Sequence, residues 1–150
     1  MTTILPTIGA MALVAAVMGC SSGSGPGDLL SVGGTYPTVV ALVPGQNTCT
    51  GVTVQDNPTN VAHTAGSSTI ALGHAGTQYD GVVQTTGHFS AGPKTLVIGA
   101  VTYVISMTGR FTTRGLTADI TVQATPMSGP VCGYKVTWTG TKQGGDNVIP

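Results

Sequence analysis

The sequence predicts an all-β fold, an antiparallel meander of about eight strands closing into a small up-and-down β-barrel, with a β-sandwich as the alternative. Three observations carry this: hydropathy that alternates with period two, short turns rich in Gly, Pro, Asn and Asp, and a shortage of helix formers. Of 150 residues 23 are Gly, 7% are charged and none is Glu, a bias toward strands and turns. The length and an apolar share of 41% suit one domain around one core.

The elements follow in order. Tyr36 to Val43 and Cys49 to Gln55 read as strands on either side of the Pro44-Gly45-Gln46-Asn47 turn, and Asp56-Asn57-Pro58 ends the second. Thr69 to His74 and Gln78 to Thr85 flank Ala75-Gly76, and a short strand at Thr95 to Ile98 follows Ala91-Gly92-Pro93. In Val101 to Phe111, Val101, Tyr103, Ile105, Met107 and Phe111 share one parity, and Thr102, Ser106, Thr108 and Arg110 take the other. One face is therefore apolar and the other polar, as in a half-buried strand. After Arg114-Gly115 the pattern recurs in Ala118, Ile120, Val122 and Ala124 against Thr117, Asp119, Thr121 and Gln123. Beyond Ser128-Gly129-Pro130 it returns in Tyr134, Val136 and Trp138 against Lys135, Thr137 and Thr139. An internal echo sets Thr86-Gly87-His88-Phe89-Ser90 beside Thr108-Gly109-Arg110-Phe111-Thr112, so neighbouring hairpins are built alike. Closure favours the barrel, because Thr-rich strands with few charges have little other protection for their edges. A sandwich of immunoglobulin type would place Trp between its two Cys, whereas Trp138 follows Cys132.

At the N-terminus, Ile4 to Met18 is a mostly apolar run interrupted by Pro6, too short to span about 30 Å of hydrocarbon. It ends in Val17-Met18-Gly19-Cys20 and runs into Ser21-Ser22-Gly23-Ser24-Gly25-Pro26-Gly27. This resembles the lipobox of bacterial lipoproteins. The resemblance implies diacylglycerol on the Cys20 sulfur, cleavage before Cys20 and acylation of the new amino terminus. Several acyl chains on one residue anchor stably where one alone does not. The domains expected are a lipoprotein signal peptide at 1–19, a lipidated Cys with a flexible Gly/Ser linker at 20–33, the barrel at 34–143 and a flexible tail at 144–150. Ser21 in place of Asp after the Cys implies the outer membrane where a cell has two. The competing readings are an ordinary signal peptide, or a buried segment with Cys20 as an unmodified thiol. Gly34-Thr35-Tyr36 is similar to the Gly-x-Trp start of lipocalins, an analogy of fold only.

With Cys20 assigned to lipid, Cys49 and Cys132 are left to pair, as an exported protein favours. The bridge would close a loop of about 80 residues, worth about 4 to 5 kcal/mol in the chain-entropy model. The alternative is two separate buried thiols; neither Cys has a neighbour at zinc-ligand spacing.

The five basic and five acidic side chains cancel, so nothing steers the chain toward nucleic acid or an anionic bilayer. Motifs for nucleophilic, metal-hydrolytic or phosphate chemistry are missing from the sequence, and neither an enzyme nor a cofactor is expected. Asp80 and Asp119 read as solvent-facing. Of the histidines, His74 shares parity with Ile70 and Leu72 and reads as inward near a strand end, His88 matches Arg110 and reads as outward, and His63 stands alone. A copper or zinc site using these rings with Met107 or Met127 is the sharper reading and separate rim histidines the plainer one. Asp56 to Asn60 offers oxygens to calcium, or simply an Asx-type turn before Pro58.

Two functions are consistent with these residues. In one, Tyr36, Tyr79, Tyr103, Ile105, Tyr134, Val136 and Trp138 line a cavity for a small apolar ligand; the same side chains can also simply fill the core. In the other, the domain is a structural or interaction module whose Thr-rich surface meets an envelope protein or glycan. An internal cavity favours the first, and a large exposed apolar patch the second.

Overall fold

The computed structural model describes residues 28–150. Nine strands follow in chain order: β1 (Gly34–Tyr36), β2 (Thr38–Asn47), β3 (Thr59–Ala62), β4 (Thr69–His74), β5 (Thr77–Val83), β6 (His88–Ile98), β7 (Val101–Thr112), β8 (Gly115–Pro126) and β9 (Cys132–Thr141). They form one antiparallel sheet in the order β1-β3-β4-β5-β6-β7-β8-β9-β2. The sheet is a nearly closed barrel, and no helix occurs among the described residues. This is the predicted meander rather than the sandwich.

Closure depends on Pro37. β1 and β2 are two halves of one extended run, and proline, with no N–H to donate, sits where the run changes partners. Below it β1 pairs with β3 from Gly34↔Val61 to Tyr36↔Thr59, and above it β2 pairs with β9 from Thr38↔Gly140 to Leu42↔Val136. The Pro37 carbonyl accepts from Thr141 N at 3.2 Å and the Thr35 carbonyl from Gln143 N at 2.9 Å. On the inner side of this seam Thr38 Oγ1 lies 2.9 Å from Thr59 Oγ1, itself 2.9 Å from His74 Nδ1.

Directly paired residues of a ladder share a face, so the registers stack the concave surface in rows. One row holds Phe89, Gly109, Ala118, Trp138 and Val40; the next holds Ala91, Met107, Ile120, Val136 and Leu42. These rows form the packed core with Val61, Ile70, Leu72 and Tyr79. Gly109 is required in its row. A Cβ there would lie 2.6 Å from the Phe89 ring, which covers the glycine and lies tilted against Phe111 with centroids 4.9 Å apart.

Above these rows β6 carries one extra residue, since Ala91↔Met107 is followed by Lys94↔Ile105. Gly92 in this bulge has φ +87, and a Cβ on it would lie 2.6 Å from the Ile105 carbonyl oxygen, so only glycine fits. The bulge reverses the parity of the rest of the strand. The upper rows of the concave face therefore run Lys94, Ile105, Val122, Tyr134 and then Leu96, Tyr103, Ala124, Cys132.

The other pole is plugged by the chain ends. Ser31 and Val148 exchange two backbone hydrogen bonds of 3.0 Å each, and Leu30, Val32 and Asn147 are buried. Asn147 Oδ1 accepts from Tyr36 Oη at 2.7 Å, and its Nδ2 donates to the Thr112 carbonyl at 2.7 Å. Residues 30–32 and 147–149 pack with the barrel, beyond the expected bounds of 34–143. Without them Tyr36, Phe111 and Leu116 would face water at an open barrel end.

One strand expectation is overturned. Cys49 to Gln55 is not a strand, because β2 runs on to Asn47 and the following residues leave the sheet; the next strand is β3. Gly51 at φ +68 and the covalent tie at Cys49 hold this segment off any ladder.

Candidate ligand cleft at the barrel mouth

The segment from Thr48 to Pro58 crosses the open pole as a strap, fixed at both ends. At its start Cys49 is disulfide-bonded to Cys132, 83 positions later, which confirms the expected pairing. Beside the bridge Thr48 N donates to the Gly133 carbonyl at 2.8 Å, and Gly133 N donates back to Thr48 Oγ1 at 2.9 Å. At its far end Asp56 Oδ1 accepts from Val40 N at 2.8 Å, a tie across to β2. Between the ties Val54 packs on the core.

Beneath the strap lies a cleft of about 490 Å³, walled by strap residues Cys49 to Thr53 and by Val101, Tyr103, Ala124 and Tyr134 of the barrel. A volume of this order accommodates one small ligand. The expected cavity residues divide between cleft and core. Tyr103 and Tyr134 line the cleft. Ile105, in the Tyr134 row, is half-buried against the core. Tyr36, Tyr79, Val136 and Trp138 are buried in the packed interior. The lower barrel is therefore filled by described residues, with Met107, Ile120, Val136 and Trp138 occupying the rows beneath the cleft.

Burial holds the Tyr134 phenol above its ordinary pKa, and the Tyr103 and Tyr79 hydroxyls reinforce this. Two phenols, on β7 and β9, thus border the space under the strap. Burial also raises Tyr79, against a hydrogen bond from Thr77 that lowers it. Far from the cleft, burial pushes Tyr36 up to about 12.

The rim of the mouth is apolar. Ile98 is 63% exposed, Met127 88% and Val131 54%, all at the tips of the β6–β7 and β8–β9 connections. Lys94 and Leu96 on the concave face escape sequence reasoning, because Gly92-Pro93 reads as a turn when it is a bulge within a continuous strand.

The histidines do not converge. His74 is buried as its parity predicts, stacked on Trp138 with centroids 4.1 Å apart, and burial lowers its pKa. His88 sits outward opposite Arg110, as the echo predicts. His63 lies within 3.3 Å of Val32 N and 2.9 Å of the Ser67 carbonyl oxygen. Among the described residues no three metal-ligating side chains cluster. Asp80 and Asp119 are exposed, and Asp80 accepts from Gln78 Nε2 at 2.7 Å. A second, shallow hollow of about 580 Å³ crosses the outer face of β6 to β9 among His88, Arg110, Thr117, Asp119 and Thr139. Cys20 and the expected signal segment lie outside the described residues.

Comparison with known proteins finds no matching family model, no similar curated protein and no similar solved structure, so the reading of the site rests on the chain's own geometry.

Proposed function

We propose that this chain is a lipid-anchored protein of the bacterial cell envelope whose barrel holds a small apolar molecule in the cleft beneath its strap. The observation that carries the reading is the cleft of about 490 Å³ bounded by Val101, Tyr103, Ala124 and Tyr134. An apolar body would rest on the aliphatic and ring surfaces, while the phenol hydroxyls give a few polar points that set orientation. The exposed Ile98, Met127 and Val131 supply a rim over which such a molecule enters without losing apolar contact. Anchorage is the part contributed by the lipobox at Cys20. The role is binding rather than catalysis.

Native mass spectrometry of the exported protein, before and after organic extraction, tests this. A defined mass that extraction removes, additional to covalently attached acyl chains, supports the reading. If extraction removes nothing, the alternative gains: an interaction module that meets an envelope protein or glycan through its Thr-rich outer face. The hollow of about 580 Å³ beside Thr117 and Thr139 is the observation that favours it.

A further inference from the structure

Resting on that reading, we infer that the ligand is an amphipathic anion whose headgroup is held by Lys94. The chain has five basic side chains, and only one of them stands on the concave face near the mouth. Arg110 and Lys135 are exposed on outward positions of β7 and β9, Arg114 pairs with Asp146 at 3.5 Å in the turn region of the closed pole, and Lys142 packs beside Gly34. Lys94 faces inward because of the bulge. It is paired directly with Ile105, and Lys94 and Leu96 are half-buried while their neighbours Thr95 and Val97 are exposed.

Its surroundings lack a countercharge. The row from Lys94 continues through Ile105 and Val122 to Tyr134, and Tyr103 occupies the diagonal position, about 7 to 8 Å away in such a ladder and within reach of a lysine stem. The five carboxylates stand elsewhere: Asp80 and Asp119 face outward, Asp56 is bonded to Val40 N, and Asp28 and Asp146 lie toward the closed pole. Among the described residues Lys94 has no ion pair. A lone ammonium on the strand beside a cleft edged by phenols and strap threonines is matched by a carboxylate or a similar anionic head on a short hydrocarbon. The head meets the ammonium and a phenol hydroxyl in charge-assisted hydrogen bonds, and the tail lies under the strap.

Titration calorimetry with octanoate, octanol and octylammonium tests this, using the full chain on neutral phosphatidylcholine nanodiscs with empty nanodiscs as the blank. Octanoate is expected to bind about ten-fold more tightly than octanol, the yield of one partly solvated charge-assisted contact, and octylammonium more weakly than either. Lys94→Met removes the preference and leaves octanol unchanged, Lys94→Arg keeps it, and Lys94→Glu shifts it to octylammonium. Equal binding of octanoate and octanol by the wild-type chain, or a preference that survives Lys94→Met, overturns the headgroup inference alone. Failure of all three probes to bind overturns it together with the cleft reading.

Discussion

Replacing Cys49 and Cys132 together by Ser isolates what the strap's covalent tie contributes. The bridge spans 83 positions. In the chain-entropy description a loop of that length costs the unfolded state about 4.5 kcal/mol of freedom, a large part of the roughly 5–15 kcal/mol that stabilises an ordinary domain. A domain of this size unfolds with an entropy of about 0.25 kcal/mol per kelvin near its midpoint, so the double variant should melt roughly 18 °C lower. Calorimetry of the oxidised chain, the reduced chain and the double variant gives the comparison; the last two should coincide. Hydrogen exchange adds a local readout, since Thr48 to Val54 should lose protection before β7 and β8 do. A fall in melting temperature of less than about 5 °C would refute the reasoning, for it would mean that the unfolded chain is already restricted or that the strap's other bonds suffice.

Four further outcomes are expected. Asn147→Ala should cost about 2–3 kcal/mol in urea denaturation, because it strips the plug of its bonds to Tyr36 and Thr112 and leaves buried partners unsatisfied. Gly109→Ala should cost more than about 3 kcal/mol, since the new methyl would collide with the Phe89 ring and the Thr117 carbonyl; a near-wild-type midpoint would count against the packing described. Burial lowers the His74 pKa in the fold, so the unfolded chain binds the proton more readily. Its contribution is thus fully present above the ordinary value of about 6.5 and is lost as pH falls through the lower folded value; His74→Gln should flatten that slope in denaturation measured across the range. Cys20→Ala should move the protein out of the membrane fraction, and unchanged membrane association would sink the anchor reading.

The upper strands were legible because each carries its alternation unbroken. Val101 to Phe111 and Ala118 to Ala124 face as their parity requires, and the outward face of His88 follows from the echo. Local irregularities hid the rest. Cys49 to Gln55 has β-favouring residues, yet two tertiary ties and Gly51 hold it as a strap. Thr59 to Ala62, at four residues, is too short to show a period. One inserted residue at Gly92-Pro93 flips the face of everything after it, which is why Lys94 and Leu96 were not anticipated beside Tyr103 and Tyr134. Ser31 and Val148 lie in Gly-rich and terminal stretches whose composition looks like tether, and only the open barrel end beneath Tyr36 gives them a reason to be ordered.

The clasp between Ser31 and Val148 would also decide which way a protein anchored at Cys20 looks. Strands of 12 residues, tilted as barrel strands are, separate the two poles by about 30 Å. The eight residues from Cys20 to Asp28 reach at most about 28 Å when fully drawn out, too little to pass from a bilayer around the wall and bring the strap down onto it. If Cys20 carries acyl chains as proposed, the plugged pole would sit against the membrane and the mouth would open toward the aqueous compartment. Cargo would then be exchanged with whatever approaches from solution, and the bilayer holding the protein would be its mooring rather than its source.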